Sequence, residues 1–193
     1  MSRLDARIAV SEPARDFVSQ YFHGPYDIVP NGIDVHRFRD VEPFPWAGDG
    51  VPRILFVGRY NEPRKGFKYL LRAMPSIQQQ FPDARLVVVG GGKPDRFDGL
   101  MERYGVRNVD FVGLITPEEL PRYYGSCDLF CAPSISGESF GIVLLEAMAS
   151  SRPDGPHAQV SRSMRSGTRA ASSGRSSRPA RSVCCSTSRR RPC

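Results

Sequence analysis

Gly137-Glu138-Ser139-Phe140-Gly141-Ile142-Val143-Leu144-Leu145-Glu146-Ala147-Met148-Ala149 is the stretch on which the reading of this chain turns. It sets one carboxylate in a loop and a second inside an apolar run. Ser139 is suited to capping a helix N-terminus, and no breaker follows Gly141. The run from Phe140 to Ala149 is apolar all round except at Glu146, which predicts a buried helix. A helix N-terminus offers unpaired N–H groups and the positive end of a dipole, so it suits a phosphate. Gly141 has no side chain to hold such a ligand away. Glu146 lies one turn below Ile142, and helical side chains lean towards the N-terminus. Its carboxylate is therefore aimed at whatever the helix start holds.

Working back from this stretch, short apolar runs alternate with helical patterns. Residues 53–58 (Arg-Ile-Leu-Phe-Val-Gly) read as a central strand ending in Gly. Residues 67–81 have helical spacing, with Pro75 predicting a kink or a break. Further strands are expected at 84–89, closed by Gly90-Gly91-Gly92, at 109–112 and at 129–133, with a helix over 95–104. Thr116-Pro117-Glu118-Glu119 has the pattern of a capped helix start. Nearer the N-terminus, 7–10 reads as a short buried strand. A helix follows from Ser11-Glu12-Pro13 to about Phe22, and a second strand over 26–30 stops at Pro30-Asn31-Gly32. The whole predicts an α/β fold, a Rossmann-like doubly wound parallel sheet. In such sheets ligands bind at the carboxyl ends of the strands. Gly58-Arg59, Gly90-Gly92, Gly113-Leu114 and Pro133-Glu138 should therefore gather on one edge. Arg59 and Lys65 then bring two cations to that edge, a forked donor and a mobile point charge. Two solvated loop cations would give the same pattern.

Charge is divided unevenly along the 193 residues. The formal charge of +7 comes from the end of the chain: residues 1–150 carry 17 Lys and Arg against 19 Asp and Glu, and residues 151–193 carry ten Arg and one Asp. A nucleic-acid-binding reading would rest on that last segment alone, and no nucleic-acid partner is expected. Cys127 and Cys131 read as small core residues. No Cys-x-x-Cys pair, His cluster or Asp-x-Asp pair points to a metal, and none is expected. His23, His36 and His157 read as surface residues. With no signal peptide or bilayer-spanning run in view, a cytoplasmic location is the default.

The order strand, Gly58-Arg59, Lys65-Gly66, then two Glu separated by seven residues resembles family 4 glycosyltransferases of the GT-B fold across residues 53–149. The run Gly58-Arg59-Tyr60-Asn61-Glu62-Pro63-Arg64-Lys65-Gly66 is most similar to the phosphatidylinositol mannosyltransferase group. The resemblance implies a retaining hexosyl transfer from a nucleotide-sugar, GDP-mannose in that group, to a lipid or glycan acceptor. It implies that Arg59 and Lys65 bind the donor diphosphate and that Glu138 contacts the transferred sugar as the catalytic carboxylate. Amides of Phe140 and Gly141 would meet phosphate oxygens, Glu146 would accept from ribose hydroxyls, and backbone at Leu114 and Ile115 would meet the base. It also implies contact with the inner face of a membrane, made by a longer form. Residues 1–34 resemble the last β-α-β unit of that family's N-terminal domain, 35–52 its linker, and 53–150 an incomplete nucleotide-sugar-binding domain.

Two departures stand out. Most of an N-terminal domain, with its acceptor site, has no counterpart here. Of residues 151–193, eleven are Ser and ten are Arg, a composition that predicts a disordered tail. That composition also matches GC-rich codons read out of register. Shifted back by one base, Ser163 to Arg169 permits Val-Asp-Ala-Val-Arg-Asp-Ala, and Ser176 to Ala180 permits Leu-Val-Pro-Pro-Gly, both similar to family sequence at this distance. The tail is accordingly expected to be a frameshift product. Open alternatives are a non-catalytic nucleotide-binding fragment, a nucleotide-sugar epimerase, and a nucleic-acid binder acting through the tail.

Overall fold

A computed structural model describes residues 5–136 and 140–150, and the backbone of 159–162. Two sheets are present among them. The first pairs β1 (Ile8–Ala9) with β2 (Asp27–Ile28) in parallel, joined by α1 (Glu12–Ser19). Ser11 caps α1 as expected, accepting from the amide of Ala14 at 3.2 Å. The strand over 7–10 is not the buried one its composition predicts. Ile8 is 65% exposed and only Ala9 is buried, because α1 buries no residue and covers little of this small sheet.

The second sheet has five parallel strands in the order β5-β4-β3-β6-β7. These are β3 (Arg53–Val57), β4 (Arg85–Val89), β5 (Val109–Gly113), β6 (Leu129–Ala132) and β7 (Gln159–Arg162). Alternate residues of β3 and β4 feed two cores. Ile54, Phe56, Leu86 and Val88 face α2 (Phe67–Gln80) and α3 (Asp98–Tyr104) on one side. Leu55, Val87 and Val89 face α4 (Leu120–Ser126) and α5 (Ile142–Ala149) on the other. This is why both strands read as unbroken apolar runs rather than alternating ones. The fold is the doubly wound parallel α/β sheet that the sequence predicts.

Several elements differ from expectation. α2 runs unbroken through Pro75. Proline removes one intrahelical bond, but Leu70, Leu71, Met74 and Gln78 are buried on either side of it and hold the helix together. Thr116 and Glu119 do bond reciprocally, Thr116 N to Glu119 Oε2 at 3.1 Å and Glu119 N to Thr116 Oγ1 at 3.3 Å, yet they close a turn and α4 begins only at Leu120. Within the segment expected to be a tail, residues 159–162 pair in parallel with Leu129–Ala132. Strand pairing draws on main-chain groups, which composition does not report. The other residues of that segment, and with them the frameshift reading, lie outside the described residues.

Residues 38–53 are strapped against α4. Phe44 stacks on Trp46 with centroids 5.2 Å apart and meets Tyr123 edge-on at 4.8 Å. Arg122 lies over Phe44 and Arg53 over Trp46, at 4.3 and 4.5 Å from the ring centroids. The amide of Phe44 donates to Ser126 Oγ at 2.7 Å.

Candidate functional site

Strand order locates the site. After β3 the chain builds outward through β4 and β5, then returns to place β6 on the other side of β3. The strand order reverses between β3 and β6, and the crevice beyond their carboxyl ends is where α/β sheets take ligands. The loop carrying Arg59 and Lys65 leaves β3, and the segment leading to α5 leaves β6.

These two loops are joined. The amide of Ile135 donates to the carbonyl of Arg64 at 2.9 Å. Gly66 follows with φ +72°, and a Cβ placed there would come within 2.0 Å of the carbonyl oxygen of Pro133. Only glycine permits this approach. The neighbouring strand ends are tied as well, Gly58 N to Val89 O at 2.9 Å and Gly90 N to Gly113 O at 2.8 Å. The four glycine- or proline-marked strand ends thus form one rim, as the sequence predicts.

Arg59 lies on this rim with its side chain 80% exposed. Glu62 Oε1 accepts from Arg59 Nη1 at 3.2 Å, and Glu62 Oε2 pairs with Arg64 Nη2 at 2.8 Å. Burial opposes ionisation of Glu62, but the hydrogen bond from Arg59 and the charges of Arg64 and Arg59 outweigh it and hold the carboxyl below its ordinary value. Lys65 lies beside Gly58: its Cδ is 4.0 Å from where a Cβ on that glycine would sit. Leu114 is 85% exposed at the end of β5, whereas Ile115 packs its side chain into the α4–α5 core.

At the other loop, α5 begins later than the sequence predicts. Gly141 takes φ +84° and stands just outside the helix, which runs from Ile142 to Ala149. Phe140 and Gly141 therefore precede the first turn rather than form it, because a left-handed residue cannot continue a right-handed helix. The expected Ser139 cap falls at a position that, with Gly137 and Glu138, lies outside the described residues. Nor is α5 buried all round. Ala147 is fully buried, but Ile142 is 41% and Met148 63% exposed, since the helix packs on the sheet by one side only.

Glu146 sits on α5 with its Oε2 accepting from the hydroxyl of Tyr124 at 2.9 Å. Tyr124 is 22 residues away and carries no local signal in the sequence. Glu62 does carry one, standing between Arg59 and Arg64. Among the described residues no group of three His, Cys, Asp or Glu is placed to hold a metal, and no helix is long and apolar enough to cross a membrane.

Residues 51–153 match the family described as glycosyl transferases group 1. The chain belongs to that family, and its sheet is the parallel α/β fold seen in GT-B glycosyltransferases. Among relatives, it is 40% identical over 151 residues to phosphatidyl-myo-inositol mannosyltransferase of Mycobacterium tuberculosis strain H37Rv, an alignment covering 76% of this chain and 39% of that protein. Among solved structures, it resembles sucrose-phosphate synthase of Thermosynechococcus elongatus, with 31% identity, a TM-score of 0.63, and coverage of 77% of this chain and 39% of the other. It also resembles Anabaena Alr3699/HepE in complex with UDP-glucose, with 25% identity, a TM-score of 0.62, and coverage of 75% and 42%. The chain thus spans about two fifths of the length of these relatives.

Proposed function

We propose that this chain is the donor-binding part of a retaining hexosyltransferase, moving mannose from GDP-mannose to a phosphatidylinositol-type lipid acceptor. One observation carries the reading: the Arg59–Gly66 loop is bonded to the Pro133–Ile135 loop at the point where strand order reverses. The loop that carries the two cations is bonded there to the loop that follows β6. A diphosphate fits there because Arg59 supplies paired donors, Lys65 a point charge, and the amides at Phe140 and Gly141 further N–H groups. Glu146 is the acceptor for the ribose diol, and backbone at Leu114 and Ile115 meets the base. Glu138 contacts the sugar. Arg59, Lys65 and the amides stabilise the negative charge that develops on the departing diphosphate. No metal or other cofactor enters this account; the nucleotide-sugar is a substrate. The acceptor and a peripheral membrane contact at the cytoplasmic face belong to a longer form.

The mannosyltransferase relatives favour mannose and a phosphatidylinositol acceptor, and the UDP-glucose complex of a structural neighbour favours a nucleotide-sugar in this crevice. Calorimetric titration with GDP, UDP and ADP tests the reading. GDP should bind best, and Arg59→Ala should weaken it by about tenfold, the effect of one charge-assisted contact. Equal or absent binding of all three nucleotides would defeat it.

A further inference from the structure

Tyr124 is 2% exposed, held edge-on between Phe38 and Phe130 with ring centroids 6.0 and 5.3 Å away. Its hydroxyl lies 2.9 Å from Glu146 Oε2 and 3.3 Å from the carbonyl oxygen of Val143. Both acceptors are on α5, and Tyr124 is on α4. A glutamate on a helix surface has three torsions to lose when it engages a ligand, and ordering them costs free energy. Here part of that cost is met in advance, because the phenol holds one carboxylate oxygen in place.

We propose that Tyr124 is a positioning residue that holds the Glu146 carboxylate in the orientation that receives the ribose diol of the donor nucleotide. The inference rests on the donor-site reading above and deepens it. Burial and the Glu146 charge push the Tyr124 hydroxyl well above its ordinary value, so it stays a donor throughout the neutral range. The aromatic clasp adds a second consequence. Phe38 belongs to the segment preceding β3, so the strap and the Glu146 carboxylate are linked through the Tyr124 ring of α4.

The alternative is that the bond merely cross-links two helices, and the test separates the two roles. Tyr124→Phe keeps the ring and removes the hydroxyl. Its affinity for GDP should fall by about 2- to 10-fold, the effect of one hydrogen bond, while its affinity for 2′,3′-dideoxy-GDP should match that of the unaltered chain. An equal loss for both ligands, or no loss for GDP, would overturn the proposal. The double variant Tyr124→Phe/Glu146→Gln should lose no more than Glu146→Gln alone, and additive losses would also overturn it. If the unaltered 193-residue chain binds neither ligand, the donor-site reading fails first. The hydrogen bond on which the positioning role depends is then read separately from the Tyr124 hydroxyl proton by NMR. A protected, downfield resonance that moves in Glu146→Gln supports the pairing, and an exchange-broadened or unmoved one refutes it.

Discussion

The backbone amide of Ile135 and the carbonyl of Arg64 meet at 2.9 Å, and through this bond the loops after β3 and β6 become one surface. Gly66 passes Pro133 at a distance that leaves no room for a methyl group. The relative placement of the cation loop and the segment entering α5 is therefore set by main chain, not by flexible side chains.

Gly66→Ala should accordingly disturb both fold and site. A left-handed φ costs a non-glycine residue about 1–2 kcal/mol, and the contact with Pro133 adds to it. We expect a loss of about 2–3 kcal/mol of unfolding free energy in urea, with a loss of nucleotide affinity beyond that of Arg59→Ala. A fully stable variant would show that the two loops move apart freely.

Arg59→Ala should behave differently. Its ion pair with Glu62 is exposed, and such pairs contribute about 0–1 kcal/mol. Urea midpoints for Arg59→Ala and the unaltered chain should nearly coincide while GDP affinity drops. A large shift in midpoint would move Arg59 from binding to structure.

Gln78 carries more of the fold than a glutamine usually does. It is 6% exposed, donates to the carbonyls of Ala84 (3.1 Å) and Arg107, and accepts from the amide of Arg107 at 3.1 Å. Gln78→Leu fills the space but strands those main-chain groups, which predicts a loss of about 1–3 kcal/mol by denaturant titration.

The strap before β3 can be followed by its own reporter, since Trp46 is the single tryptophan. Phe44→Ala removes the ring that Trp46, Tyr123 and Arg122 all touch. We expect a loss of about 2 kcal/mol and a red shift of Trp46 emission. Unchanged emission would mean that Trp46 is held without Phe44.

Acid sensitivity should concentrate at the same strap. Arg53 holds Asp49 by two bonds, at 2.7 and 2.8 Å, and with the amide of Val51 lowers its carboxyl from 3.8 to about 2. Because the folded value lies below the ordinary one, this stabilisation is complete above pH 4 and is lost as pH falls towards about 2. Stability measured between pH 5 and 2.5 should fall less steeply in Asp49→Asn than in the unaltered chain. Parallel slopes would remove Asp49 as the cause.

What the sequence disclosed follows from what kind of interaction each feature uses. Ile54–Val57 and Leu86–Val89 were legible because strands buried on both faces must be apolar throughout and must end where the chain turns. The rim was legible because Gly58, Gly90 and Gly113 mark those turns. The start of α5 was not, because nothing local distinguishes a glycine inside a first helical turn from one at φ +84° before it. The strap and the Tyr124–Glu146 bond were invisible for another reason. Phe44 and Ser126 are 82 positions apart, and only the folded sheet brings such partners together.

The two-stranded sheet near the N-terminus has a calorimetric consequence. α1 buries no residue and Phe17 and Tyr21 are each 66% exposed, so melting of residues 8–28 releases little apolar surface. Heat uptake and heat-capacity change scale with that surface. Scanning calorimetry of this chain would therefore record essentially one endotherm, that of the five-stranded sheet, with the first sheet gone before it begins.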